Sequence, residues 1–150
     1  MADVKVAAEL VAVITAVHDE VPLVLTTAQA QRLPSGPLQS GHRSMQAGMR
    51  EWVRQQTGYE LGYIEQLYTF ADRGRGPDPI LEISYLGLTT VATVEGGWRN
   101  WFDYFPWEDR RAGEPGVMAQ LMPALERWAG AGESESGTSR RHLRCAVTFG

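Results

Sequence analysis

Residues 33–59 read LPSGPLQSGHRSMQAGMREWVRQQTGY, and this stretch decides how the chain folds. Between 35 and 41 it holds two Gly, a Pro and two Ser, a composition that interrupts regular structure and predicts a loop. From Ser44 the pattern changes. Met45, Met49, Trp52 and Val53 recur at helical spacing and form one apolar face, so a helix is predicted over 44–56. Ser44 stands where a hydroxyl can accept from a free N–H of the first turn. Gly58 follows the last turn, where the left-handed backbone that ends a helix costs Gly least.

The flanks alternate with this helix. Upstream, VAVITAV at 11–17 is apolar and β-branched and predicts a buried strand. His18, Asp19 and Glu20 form a turn, and PLVLT at 22–26 is the returning strand of a hairpin. Downstream, strands are predicted over 64–70 and over 80–94, the latter long or interrupted, with DRGRGPDP at 72–79 as the loop between them. Gly96 and Gly97 break the second run. Residues 98–107 are dense in aromatics, and 108–116 form another loop. Apolar residues at 117, 118, 121, 122, 125 and 128 make a helical stripe with Pro123 as a kink or restart. GAGESESGTS at 130–139 reads as a flexible linker, and 140–150 is amphipathic. Hairpin, loop, helix, strands and helix in this order predict an α/β layered domain.

At 150 residues the chain is long enough for one domain with its own core. A net charge of −4 argues against this segment wrapping nucleic acid by itself, since such a face clusters Lys and Arg. The single cysteine, Cys145, has no partner for an internal disulfide and points to a reducing cytoplasm, where a buried inert thiol is its simplest role. The apolar run over 6–17 contains Glu9 and is too short to span a bilayer, and only Lys5 precedes it, so it lacks a basic leader.

The frame of 36–59 resembles the Nudix box, usually written G-x5-E-x7-R-E-U-x-E-E-x-G-U with U apolar. Arg50-Glu51 keeps the central Arg-Glu. His42 stands at the first Glu position counted from Gly36, and Gln55-Gln56 stands where a Glu-Glu pair precedes the closing Thr57-Gly58. The frame is one residue longer than the pattern, with the extra residue after Arg50-Glu51. The box uses carboxylates to hold divalent metal at a diphosphate. Mg²⁺ prefers carboxylate and water oxygens, so Glu51 alone on this helix is too little, and His42 is a poor substitute. The resemblance thus implies the Nudix fold, a mixed β-sheet sandwiched between helices, with no catalytic residue, no metal site and no cofactor.

The resemblance extends past the box. GYIEQLYTFADRGR at 62–75, joined to the box frame, is similar to the Nudix-related transcriptional regulators of NAD metabolism, and the likeness covers 11–128. In those regulators a degenerate Nudix domain senses ADP-ribose or a related nucleotide, and a C-terminal winged helix-turn-helix binds DNA. This likeness implies a single Nudix-like domain with a core over 9–129, a linker over 130–139 and a terminal segment over 140–150 leading to a DNA-binding domain outside this chain. A piece of a longer regulator is therefore expected, a complete single-domain protein being the alternative.

A diphosphate held without metal needs guanidinium or backbone N–H donors. The implied candidates are Arg43, Arg73 and Arg75, with Arg32 beside them. Phe70 and Tyr85 are candidates to stack on adenine, and Asp72 and Glu82 to accept from ribose hydroxyls. Trp98, Trp101 and Trp107, with the apolar N-terminal strand, exceed what one small domain easily buries, so a homodimer is expected. The competing expectation is a divergent Nudix hydrolase, an ADP-ribose or nucleotide pyrophosphatase. It would use Mg²⁺ and draw on Glu51, Glu60, Glu65, Asp72 and Glu82.

Overall fold

The computed structural model describes residues 6–27, 32–71, 80–91 and 94–149. Within the single domain expected over 1–150, the chain gathers into two compact units, Met1–Trp101 and Phe102–Gly150. The first unit is built on a mixed sheet whose strands stand in the order Ile64–Phe70, Ile80–Leu88, Ala7–His18, Val21–Leu25 and Trp98–Asn100. Its centre is β1, Ala7–His18, longer than the predicted strand because its alternation of buried and half-buried residues starts at Leu10. Strand β2, Val21–Leu25, returns antiparallel, with His18 opposite Val21. The turn between them is only Asp19 and Glu20, both at positive φ, the geometry that matches the twist of a two-residue hairpin.

The loop predicted over 35–41 is in part a strand. Ser35–Pro37 forms β3 and pairs antiparallel with β1 at Glu9 to Val11. Strand β5, Ile80–Leu88, lies parallel to β1 over nine residue pairs from Ala7↔Ile80 to Thr15↔Leu88, and ends earlier than the predicted run. Strand β4, Ile64–Phe70, pairs antiparallel with β5, with a register shift between Gln66 and Tyr68 that leaves Leu67 as the extra residue. Strand β6, Trp98–Asn100, closes the order on β2.

Helix α1, Met45–Thr57, lies where 44–56 was predicted. The Ser44 hydroxyl accepts from the Ala47 N–H at 3.1 Å, and Gly58 ends the helix in the left-handed conformation, its N–H donating to the Arg54 carbonyl. Met49 and Val53 are fully buried against Leu10, Ala12 and Ile14 of β1 and Ile83 and Tyr85 of β5. Met45, placed by its spacing on the same face, is instead exposed, and burial on α1 begins at Gly48 and Met49. Trp98 is 3% exposed and belongs to this core, together with Leu10, Ala12, Ile14 and Ala16 of β1, whereas Val17 at the end of that strand is exposed.

The second unit is helical. A short helix, α2, spans Trp101–Tyr104, and a 3-10 turn follows at Pro106–Glu108. Helix α3, Met118–Gly130, runs through Pro123 without a restart. The segment read as a linker stays irregular only to Ser134. Glu135 begins helix α4, Glu135–Phe149, which packs on α3, because the Ser134 hydroxyl accepts from the Gly137 N–H and starts the turn. Cys145 is half-buried and lines a cavity of about 220 Å³ with Met122, Leu125 and Ala129. Among the described residues no helix is long and apolar enough to cross a membrane. Sheet and helices together bear out the α/β class.

Candidate ligand site

Helix α1 presents its polar face at the positions that the box would fill with carboxylates, and each side chain there already has work within the chain. The Gln56 amide meets the backbone of Ser35 at both ends: Nε2 donates to the Ser35 carbonyl at 2.6 Å, and Oε1 accepts from the Ser35 N–H at 3.2 Å. Gln55 Nε2 donates to Glu51 Oε1 at 3.0 Å, one helical turn away. His42 has a side chain only 5% exposed, and its Nδ1 accepts from the Gln39 N–H at 3.2 Å. That acceptor role puts the ring hydrogen on Nε2, which faces Glu51 Oε2 at 3.8 Å.

Packing explains why these groups sit so close. The His42 ring stands edge-on to Trp52 at 6.1 Å, and Trp52 Nε1 donates to the Pro37 carbonyl at 3.1 Å. A Cβ on Gly36 would collide with the Trp52 indole, and one on Gly48 with the His42 imidazole. The two glycines are therefore what leaves room for an indole and an imidazole beside α1.

Divalent metal is what the box that 36–59 resembles would hold, and the donors on α1 do not fit it. Glu51 is the one carboxylate on α1, and one of its oxygens is bonded to Gln55. The carboxamide of Gln56 is used at both ends. Among the described residues, no three His, Cys, Asp or Glu side chains converge as a metal-ligand set. An octahedral Mg²⁺ bound through protein needs more oxygen charge than this.

Next to the helix lies a cleft of about 460 Å³ lined by Arg50, Glu51, Arg54, Glu60 and Leu61. Arg50 shapes its floor. Its Nη1 donates to the carbonyls of Leu61 at 3.2 Å and Gly62 at 2.6 Å, tying the segment after the helix back to α1. Arg54 and Glu60 were not among the ligand candidates drawn from the sequence. The spacing of Arg54, four residues after Arg50 and three after Glu51, was the signal that places it on the same helix face.

The expected ligand residues fall in different places. Asp72, Arg73 and Arg75 lie outside the described residues. Arg43 is exposed just before the Ser44 cap, and Arg32 is exposed with its carbonyl accepting from the Thr27 N–H at 2.8 Å. Phe70, 45% exposed, stands directly opposite Glu82 across β4 and β5 and packs on Tyr68 at 4.6 Å. Glu82 precedes Ile83, a core residue, so strand alternation turns it and Phe70 to the sheet face away from α1. Tyr85 is 2% exposed, and burial pushes its phenol above the usual range. A stacking role for Tyr85 thus meets a ring enclosed in the core between Ala12 of β1 and Gln66 of β4 in register. Of the carboxylates named for a hydrolase, Glu51 and Glu60 share the cleft, while Glu65 and Glu82 are exposed on β4 and β5.

No protein-family model matches the chain, and no curated protein does. Solved structures do. The Nudix domain of Shewanella oneidensis NrtR complexed with ADP ribose superposes with a TM-score of 0.60 at 18% identity, over 85% of this chain and 91% of that one. Shewanella oneidensis NrtR complexed with a 27mer DNA gives 0.54 at 20% identity, over 82% of this chain and 62% of its own, so this chain spans less than two thirds of that protein. The C. elegans Ap4A hydrolase gives 0.51 at 12% identity, over 84% and 98%. With β1 central to a mixed sheet and a capped helix on one face, the chain has the fold of the Nudix superfamily and resembles the Nudix domain of NrtR in it.

Proposed function

We propose that this chain is a nucleotide-sensing domain that keeps the Nudix fold without its hydrolytic chemistry, and that it serves a transcriptional regulator of NAD or ADP-ribose metabolism. The observation that carries this reading is the Gln56 amide bonded at both ends to Ser35. A position the box gives to a metal-binding carboxylate is occupied in holding the chain together. Metal-assisted attack on a diphosphate depends on fixed charge at the developing oxyanions, and a helix with Glu51 alone lacks it. The ligand is ADP-ribose or a related nucleotide, the former being the molecule bound to the similar domain of NrtR. Its diphosphate is met by Arg73 and Arg75 with Arg43, its adenine by Phe70, and its ribose hydroxyls by Asp72 and Glu82.

The domain works in the cytoplasm as a homodimer, and DNA is reached only through an attached C-terminal domain. Ligand binding biases the geometry of the pair, and the attached domain reports it. Light scattering at micromolar concentration gives twice the 16.6 kDa chain mass on this reading, and a clean monomer at high concentration refutes the dimer. Calorimetry with ADP-ribose and NAD, run beside a turnover assay with Mg²⁺ and Mn²⁺, tests the sensor. Saturable binding with no turnover above a control lacking protein is expected. Phosphate-ester release that Glu51→Gln abolishes refutes the sensor and establishes the second reading, a divergent hydrolase. One observation favours that alternative: Glu51 and Glu60 line the same cleft as Arg50 and Arg54.

A further inference from the structure

We infer that α1 has become a metal-independent clamp on the free edge of β3, with Gln56 standing in for a neighbouring strand. Strand β3 is three residues long and its inner edge is spent on β1. Ala12 N–H donates to the Pro34 carbonyl, and Leu38 N–H to the Ala8 carbonyl, both at about the usual distance. The backbone groups of Ser35 point the other way, and a strand edge left open there wants one donor and one acceptor side by side. A carboxamide supplies both from a single side chain. Gln56 does so, with its NH₂ on the Ser35 carbonyl and its oxygen on the Ser35 N–H.

A carboxylate cannot replace it. Glutamate at 56 would keep an acceptor for the N–H and set a second negative oxygen against the Ser35 carbonyl, where the present contact is 2.6 Å. The residue that the box pattern calls for is therefore incompatible with the way this chain closes β3. The rest of the contact works in the same direction. Trp52 donates to the Pro37 carbonyl at the far end of β3, and Gly36 between them has no side chain so that the indole can lie across it. Two side chains one helical turn apart, at 52 and 56, thus grip successive backbone groups of one short strand.

The clamp also reaches the far face of the sheet. The Ser35 hydroxyl donates to Glu9 Oε1 at 2.9 Å, so the residue whose backbone Gln56 holds in turn holds a carboxylate of β1. Glu9 lies in register with Glu82 on β5, which stands opposite Phe70 on β4.

Amide hydrogen exchange of the Ser35 N–H, read by NMR in the full chain, tests the clamp directly. Gln56→Met keeps the length of the side chain and removes both bonds; Gln56→Glu removes one and adds repulsion. Gln56→Met is expected to speed Ser35 exchange at least about tenfold, the factor that one lost hydrogen bond gives, and Gln56→Glu, which keeps an acceptor for the N–H, to speed it less. Each is also expected to lower Tm by a few degrees, roughly the response of a domain this size to such a loss. Should Gln56→Glu fail to fold, Gln56→Met decides alone. Unchanged Ser35 exchange in Gln56→Met overturns the clamp. Metal independence is read by Mn²⁺ electron paramagnetic resonance and by Tm with and without EDTA. No saturable Mn²⁺ signal and no EDTA effect are expected, and a saturable site that Glu51→Gln removes overturns the inference. The metal-independent part rests on the proposed function, and a Glu51-dependent Mn²⁺ site counts against both, whereas unchanged Ser35 exchange overturns the clamp alone and absent ADP-ribose binding overturns the sensor alone.

Discussion

Helices α1 and α4 are of nearly equal length, 13 and 15 residues, and are held in opposite ways. Helix α1 has a cap at each end and sinks Met49 and Val53 completely into the sheet. Helix α4 has no buried residue. It is fastened by polar and aromatic contacts instead. Arg141 donates to the Trp128 carbonyl at 2.9 Å and lies over its indole at 5.0 Å, and the Phe149 carbonyl accepts from Arg110 at 3.0 Å while its ring meets Trp107 at 5.7 Å. A helix gains most of its stability in a protein from burying a face, so the two should differ sharply in what their side chains contribute.

The sharpest way to break that contrast is Met49→Ala. Truncating a fully buried Met in a packed core costs about 2–5 kcal/mol, so urea unfolding of this variant should show the largest loss of stability. A loss under about 1 kcal/mol would mean that α1 is held by its polar contacts after all. Ser44→Ala probes the end of the same helix rather than its face. Removing the hydroxyl that accepts from Ala47 should cost about 1 kcal/mol, visible as a shift in the urea midpoint at unchanged slope. Leu143→Ala on α4 is the control: at 64% exposure it should stay within about 0.5 kcal/mol of the parent. A larger loss there would reveal a face of α4 that is covered in solution.

Why one helix was legible and the other was not follows from the same contrast. The α1 signals are local: a Ser at the cap, an apolar residue every three or four positions and a Gly at the end. The start of α4 is ESGTS, whose composition imitates a linker, and what orders it is a hydroxyl cap and contacts to residues distant in sequence. Strand β3 escaped for a related reason. Three residues carry no period, and the strand exists because β1 and Gln56 complete its hydrogen bonds from either side.

The candidate site was legible as a set of missing charges. His42, Gln55 and Gln56 are visible as departures from a pattern by residue type alone. Their actual partners are mostly backbone atoms, the Gln39 and Ser35 amides and the Ser35 carbonyl, and backbone leaves no mark in a sequence. Tyr85, 2% exposed, shows what spacing leaves open. An aromatic in an apolar strand alternates to one face or the other, and its spacing alone does not say which face the core takes.

The register shift in β4 has a consequence for how the protein behaves when concentrated. Strand β4 ends the sheet, and Leu67, Tyr68 and Phe70 along it are exposed, as is Tyr63 just before it. A straight apolar edge of this kind invites a second molecule to add its own strand and then another, the route to precipitates and fibres. The extra residue, Leu67, bends the ladder out of phase at its middle, so two such edges cannot mate along their length. Leu67, which belongs neither to the core nor to the site, thus works against pairing of two molecules through β4.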